Sequence, residues 1–211
     1  MLTLHFAPNS RAGRIVWLLE ELGLPYEVHP VNINEGEQRS AEFTAISPNQ
    51  KIPAITDRDT GINLMESGAI LLYLAQKAGK LLPREPEMYW QTIQWLMWQK
   101  GGFGPTLGLA LHYLKFNRGK SEYSEARYEK ETHRLYGVLD RQLADQDYIV
   151  ANEYTIADIA SWPWAARHEF QTVDLHDYPN VLAWYLRIAH RPAVQAGWSV
   201  PISDSVPMPR E

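Results

Sequence analysis

Strand-like patterning runs through the first 78 residues of this chain and then stops. Up to that point β and α signals alternate, and beyond it only helical spacing remains. Such a chain is expected to fold as a mixed α/β unit followed by an all-helical one. Leu2, Leu4 and Phe6 alternate with polar neighbours and read as a strand. Ile15, Leu18, Leu19 and Leu22 follow helical spacing, and Gly23 is placed to end that helix. Residues 26–31 read as a second strand, which a crossover helix would lay parallel to the first. Residues 36–40 read as a polar loop, and Phe43 with Ile46 as the anchors of a short helical turn. Residues 52–56 and 62–65 flank DRDTG and read as an antiparallel hairpin, with a helix over Ser67–Ala78 behind it.

The order β-α-β-(α)-β-β-α is that of a thioredoxin-like domain over residues 1–78. Residues 79–86 hold a glycine, two prolines and charges, and read as a linker. Helices are then expected over about 89–116, 122–143, 155–170 and 178–190, making 87–200 an all-helical domain. The tail 201–211 is rich in proline and is expected to wrap the surface or fray.

Bulk properties narrow the function. A net charge of −5 gives no electrostatic reason for a nucleic-acid partner. No basic-then-apolar leader pattern and no apolar run of membrane length is seen, so a cytoplasmic protein without a membrane partner is expected. There is no cysteine, so any thiol chemistry must use a thiol that arrives with a ligand. The seven histidines show no HExxH or HxxxH pairing, so no metal is expected.

SPNQKIPAI, residues 47–55, places Pro53 inside a strand-like run, where a proline gives no N–H to the ladder. Either it is an ordinary trans proline at a strand start, or its bond is cis. A cis bond would turn the Ile52 main chain outward to pair with an extended peptide. ESGAI follows, with Glu66 and Ser67 where a strand hands over to a helix. A helix N-terminus favours a carboxylate and Glu66 can accept from an ammonium, which together describe an amino-acid end. Plain capping by Ser67 is the simpler alternative.

SPNQKIPAI and ESGAILLYL, after a β-α-β start and before a helical domain, resemble the glutathione transferase family over almost the whole chain. The resemblance implies a cis bond before Pro53, with the Ile52 main chain pairing with the cysteinyl unit of glutathione. Glu66 and Ser67 would hold its γ-glutamyl end. Lys51 and Gln38 would meet the glycyl carboxylate, Lys51 being favoured because Gln38 falls in the polar loop. The thiol needs a donor near the first helix. APNSRAGR leads into it, and Ser10 is the leading catalytic candidate, either as thiolate donor or only as a cap, with Asn9 and Arg11 beside it.

Within the family, SPNQKIPAI, WLMWQKGGFGPTLG and ARYEKETHRLYGVLDRQL resemble the bacterial Nu class. That class is associated with glutathione-dependent disulfide reduction, often with two glutathiones in one site. Its usual threonine and asparagine donors are matched here by Asn9 and Arg11, a departure, and NSR before WLLEELGLPYE instead resembles serine-type transferases. Arg127, in ARYE, matches a glutathione-binding arginine of the Nu class, and otherwise reads as a solvated helix residue. The resemblance implies a homodimer and a glutathione-using enzyme whose other substrate is a small disulfide. The alternatives are conjugation to an apolar electrophile, and a binding protein without turnover.

Two further segments stand out. WLMWQKGGFGPTLG reads as a bent helix whose small residues admit another backbone, and Phe103, Leu107 and Leu111 read as second-substrate wall or as core. Thr155 and Asp158 are spaced as a capping box, a structural cap in place of a catalytic acid.

Overall fold

The computed structural model describes residues 1–8, 10–198, 200 and 206–209. The chain divides into two units, Met1–Leu82 with Arg191–Val206, and Pro83–His190 with Pro207–Glu211.

The first unit holds a four-stranded sheet in the order β2-β1-β3-β4. Its strands are β1 (Leu2–Phe6), β2 (Tyr26–Pro30), β3 (Ala54–Asp57) and β4 (Ile62–Met65). β1 runs parallel to β2 and antiparallel to β3, and β3 and β4 form the antiparallel hairpin. α1 (Gly13–Leu22) makes the crossover and ends at Gly23, whose φ of 66° suits a residue without Cβ. α2 (Ala41–Ile46) is capped by Ser40, whose side chain accepts from the Phe43 N–H. α3 (Ser67–Ala78) follows β4.

Side-chain alternation explains the layers. His5 and Ala54 pair across β1 and β3. His5 meets the Phe43 ring of α2 edge-on at 5.7 Å, and Ala54 joins Phe43 and Val31 in one apolar cluster. Leu4 and Ile55 alternate with them and are buried on the opposite face.

Asp57, at the end of β3, is fully buried and fixes α3 from below. It accepts from the Tyr73 hydroxyl at 2.5 Å, from the Asp59 N–H at 3.1 Å and from the Lys77 ammonium. Burial pushes its carboxyl up, but Lys77, Tyr73 and the Asp59 N–H outweigh that and bring it down to about 2. His5 moves down for another reason. Burial, and then the neighbouring His29, lower it from 6.5 to about 4.

Both shifts make the unfolded chain bind protons first, so stability rises with pH across each window. We predict two-step acid weakening. Between pH 6.5 and about 4 the stabilisation from neutral His5 is lost, and between 3.8 and about 2 that from ionised Asp57. Urea titrations across pH check this. His5→Phe should flatten the upper window only, and an unchanged upper window in that variant contradicts the assignment.

The helical expectation over 87–200 needs one correction. α9 (Pro192–Trp198) packs with the first unit, against α1. Arg191 donates twice to the Glu21 carboxylate, at 2.6 and 2.9 Å. A Cβ on Gly197 would sit 2.8 Å from the Trp17 Cα, so only glycine admits that approach. Gly197→Ala should therefore cost about 2 kcal/mol, as overpacking does, read by a chemical melt. No strong apolar period marked this seven-residue helix in the sequence.

In the second unit, one helical run covers residues 86–116. It contains α4 (Pro86–Trp98), a π-helical turn (Gln99–Phe103), α5 (Gly104–Ala110) and a second π-helical turn (Leu111–Phe116). Pro105 falls in the first turn of α5, directly after the first π turn, where its missing N–H is tolerated. Gly104 chiefly admits side chains, since a Cβ there would meet the Gln99 side-chain amide nitrogen at 2.4 Å and the Trp164 indole nitrogen at 2.8 Å, with the Gln99 carbonyl oxygen at 3.1 Å. α6 (Glu122–Gln142), α7 (Ile156–Ala165) and α8 (Pro179–Ala189) complete the unit. The helix expected over 155–170 ends at Ala165, and a separate 3-10 turn covers His168–Gln171. Most of the 201–211 tail lies outside the described residues. Within it the Pro207 carbonyl accepts from the Tyr185 hydroxyl at 2.6 Å.

Candidate active site

Register brings three segments to one end of the sheet. β1 ends at Phe6 beside the start of β3, with His5 opposite Ala54, and Ala54 lies opposite Met65. The loop that carries Ser10, the Ile52–Pro53 bond and the Glu66–Ser67 junction therefore all leave the sheet at that end.

The Ile52–Pro53 bond is cis. β3 begins only at Ala54, and among the described residues the Ile52 main chain makes no hydrogen bond. Its side chain packs on the Val31–Phe43–Ala54 cluster. The residue is thus held by its side chain, with its peptide groups left for a ligand strand. Lys51, just before it, is exposed.

The loop behind Ile52 is closed by Ser47, which is fully buried. Its Oγ donates to the Lys51 carbonyl at 3.1 Å and lies 3.9 Å from the Met65 sulfur. Its N–H donates to the Phe43 carbonyl, and its own carbonyl accepts from the Gln50 N–H, both at 2.8 Å. Gln50 has φ of 54° and donates through its side chain to Thr44 at 3.2 Å. Ser47 opens SPNQKIPAI, yet its residue type gave no reason to single it out.

At α3 the cap position is Glu66, not Ser67, and the Glu66 side chain makes no cap hydrogen bond. Glu66 has φ of 68°, a left-handed conformation uncommon for a residue with Cβ. That turn leaves Glu66 exposed while Ser67 and Gly68 are buried at the first turn. A helix N-terminus favours an anion such as a carboxylate, and Asp57 and Lys77 anchor the other end of the same helix.

The start of α1 is similar. Ala12 holds the cap position without a side-chain cap, and no acidic residue lies in the first turn. Ser10 is half-buried two residues earlier, and its Oγ accepts from the Ala12 N–H at 3.1 Å. That bond leaves the hydroxyl proton to be donated elsewhere. Arg11 is exposed, and Asn9 lies outside the described residues.

Gln38 does not sit in an irregular loop. It lies in a 3-10 turn, Glu37–Arg39, and its side-chain amide donates to the Ile33 carbonyl at 3.3 Å.

The remaining candidates belong to the second unit. Phe103 and Leu107 are fully buried, so they form core and offer no wall. Phe103 stacks on Trp98 at 4.8 Å and meets Tyr136 edge-on at 5.6 Å. Leu111 is half-buried, and Arg127 is exposed on α6. Thr155 and Asp158 form the capping box of α7. Among the described residues no group of three or more His, Asp or Glu is placed to hold a metal. None of the described helices is long and apolar enough to cross a membrane.

Residues 1–76 match the family model for the glutathione S-transferase N-terminal domain, and residues 103–192 the one for its C-terminal domain. The disulfide-bond oxidoreductase YfcG of Escherichia coli is 44% identical over 198 residues, which covers 92% of each chain. The disulfide-bond oxidoreductase YghU of the same organism is 36% identical over 206 residues, covering 90% of this chain and 70% of that one. A glutathione transferase from Burkholderia graminis, crystallised with two glutathione molecules per subunit, has a TM-score of 0.88 at 38% identity, covering 95% of this chain and 88% of that one. One from Pseudomonas putida, with one glutathione disulfide per subunit, also has a TM-score of 0.88, at 40% identity, covering 95% and 91%. With both domain models matched and its α/β and all-helical units in family order, the chain belongs to the glutathione S-transferase family.

Proposed function

We propose that this protein is a cytoplasmic enzyme that reduces disulfides with glutathione. The observation that carries the reading is the convergence, at one end of the sheet, of the cis Ile52–Pro53 bond, an Ile52 main chain that makes no hydrogen bond among the described residues, the Glu66–Ser67 start of α3 and the Ser10 loop. Relatives named disulfide-bond oxidoreductases, and neighbours that hold two glutathiones or glutathione disulfide, support it.

The residues fit glutathione group by group. Ile52 offers a peptide N–H and C=O to the cysteinyl unit. Glu66 accepts from the γ-glutamyl ammonium, while Ser67 and the α3 N-terminus hold its carboxylate. Lys51, with Gln38, meets the glycyl carboxylate, and Arg11 and Arg127 are further glutathione-binding candidates. Ser10 directs its hydroxyl proton to the sulfur, aided by the open N-terminus of α1, so that the thiolate is favoured over the thiol.

Bound glutathione supplies a thiolate that attacks one disulfide sulfur and expels the other as a thiolate, and a second glutathione resolves the mixed disulfide to glutathione disulfide and a second thiol. Two glutathiones thus provide the two electrons, and the protein needs no cysteine of its own. Leu111 is the remaining candidate for a wall against the disulfide. We further propose a homodimer. Trp90 and Met97 share one face of α4 and are 66% and 53% exposed, an apolar face suited to a second copy and tested by sedimentation.

The direct test is reduction of a small disulfide by glutathione, coupled to glutathione reductase, beside an aromatic-halide conjugation assay. Fast disulfide turnover with feeble conjugation is expected. Conjugation alone would make it a transferase of the serine type, and neither activity despite bound glutathione would make it a binding protein.

A further inference from the structure

We propose that Ser47 is a positioning residue for glutathione, acting through the Lys51–Ile52 peptide. This rests on the function proposed above and assigns a role to a residue that would never touch the ligand.

Peptide planarity makes the connection. The Lys51 carbonyl and the Ile52 N–H belong to one planar trans unit, in which they point to opposite sides. The carbonyl is drawn inward to the Ser47 hydroxyl, at 3.1 Å. The Ile52 N–H is therefore turned outward, toward the side on which a ligand strand must pair. Rotating that N–H away requires breaking the Ser47 bond.

Ser47 can hold the peptide because it is itself held. It is fully buried, its N–H and carbonyl are both bonded, and Phe43, which accepts from its N–H, sits in the apolar cluster under Ile52. Gln50, in its left-handed conformation and bonded to Thr44, closes the loop from the other side. The Met65 sulfur is a weak acceptor and adds little. The Ser47 hydroxyl thus orders the Ile52 N–H before glutathione arrives, and that ordering need not be supplied by binding energy.

The test is calorimetric titration of glutathione into wild type, Ser47→Ala, Ser47→Thr and Met65→Leu, with melting temperatures and steady-state kinetics alongside. Ser47→Ala should weaken glutathione binding about tenfold, roughly the worth of one lost buried hydrogen bond. Its kcat at saturating glutathione should stay within about twofold, because Ser10 is untouched. Ser47→Thr should restore the affinity, and Met65→Leu should leave it unchanged. If Ser47→Ala does not fold, Ser47→Cys, with its weaker donor, should show the same loss. Wild-type affinity in folded Ser47→Ala or Ser47→Cys, with only a lower melting temperature, overturns the proposal and makes Ser47 purely structural. A wild type that binds no glutathione overturns the proposed function, and the role of Ser47 with it.

Discussion

Asp158→Ala should destabilise the protein by about 4 kcal/mol while leaving the kinetics of the folded fraction unchanged. One carboxylate oxygen accepts from the Ile149 N–H at 3.0 Å and from the Trp184 indole N–H at 2.9 Å. The other accepts from the Thr155 N–H at 2.9 Å and from the Thr155 hydroxyl at 3.2 Å. Burial pushes this carboxyl up, and the Ile149, Thr155 and Trp184 donors pull against that. Alanine would strand three buried N–H groups at once, in the loop before α7, at its cap and on α8. Stranding one such group costs about 1–3 kcal/mol, so the sum is large even with partial relaxation. Asp158→Asn keeps one acceptor oxygen and should fall between the two. Denaturant melts with specific activity per folded molecule decide the matter. Normal stability with lost turnover would make Asp158 catalytic and defeat the cap assignment.

Ser10→Ala should lower kcat for disulfide reduction about 100-fold, in the range seen when a single donor to a developing anion is removed. Glutathione affinity should change little, because the proposed binding groups, Ile52, Glu66 and Ser67, are untouched. The Ser10 Oγ already accepts from the Ala12 N–H, so its proton is the part left to act on sulfur. Ser10→Thr should recover much of the loss. Steady-state rates with saturating glutathione check this. An unchanged kcat in Ser10→Ala with a collapse in Asn9→Ala would move the donor role to Asn9.

Much of this was legible before any coordinates. Alternation at Leu2–Phe6, the spacing in α1 and the turn residues of DRDTG mark the sheet through local periods of two and 3.6, although β1 is buried on both faces, its polar Thr3 and His5 included. The cis bond before Pro53, which the spacing left open and the family resemblance implied, is present. What escaped was long-range. Phe103 and Leu107 look alike as wall or as core until Trp98 and Tyr136 close over Phe103. α9 joins the first unit through a backbone approach at Gly197 that no residue pattern announces. Gln38 looked loop-bound because a 3-10 turn leaves no apolar period. Nothing in the sequence singles out Ser47, and only the bond from its hydroxyl to the Lys51 carbonyl draws attention to it.

The measurement that bears most directly on the central claim is the ionisation of bound glutathione, followed by the ultraviolet absorbance of its thiolate across pH. An enzyme of the kind proposed should lower the thiol pKa of bound glutathione well below its value in solution, and Ser10→Ala should return it toward that value. Glutathione that binds with an unchanged thiol pKa would contradict an activated thiolate and leave the family fold without the proposed chemistry.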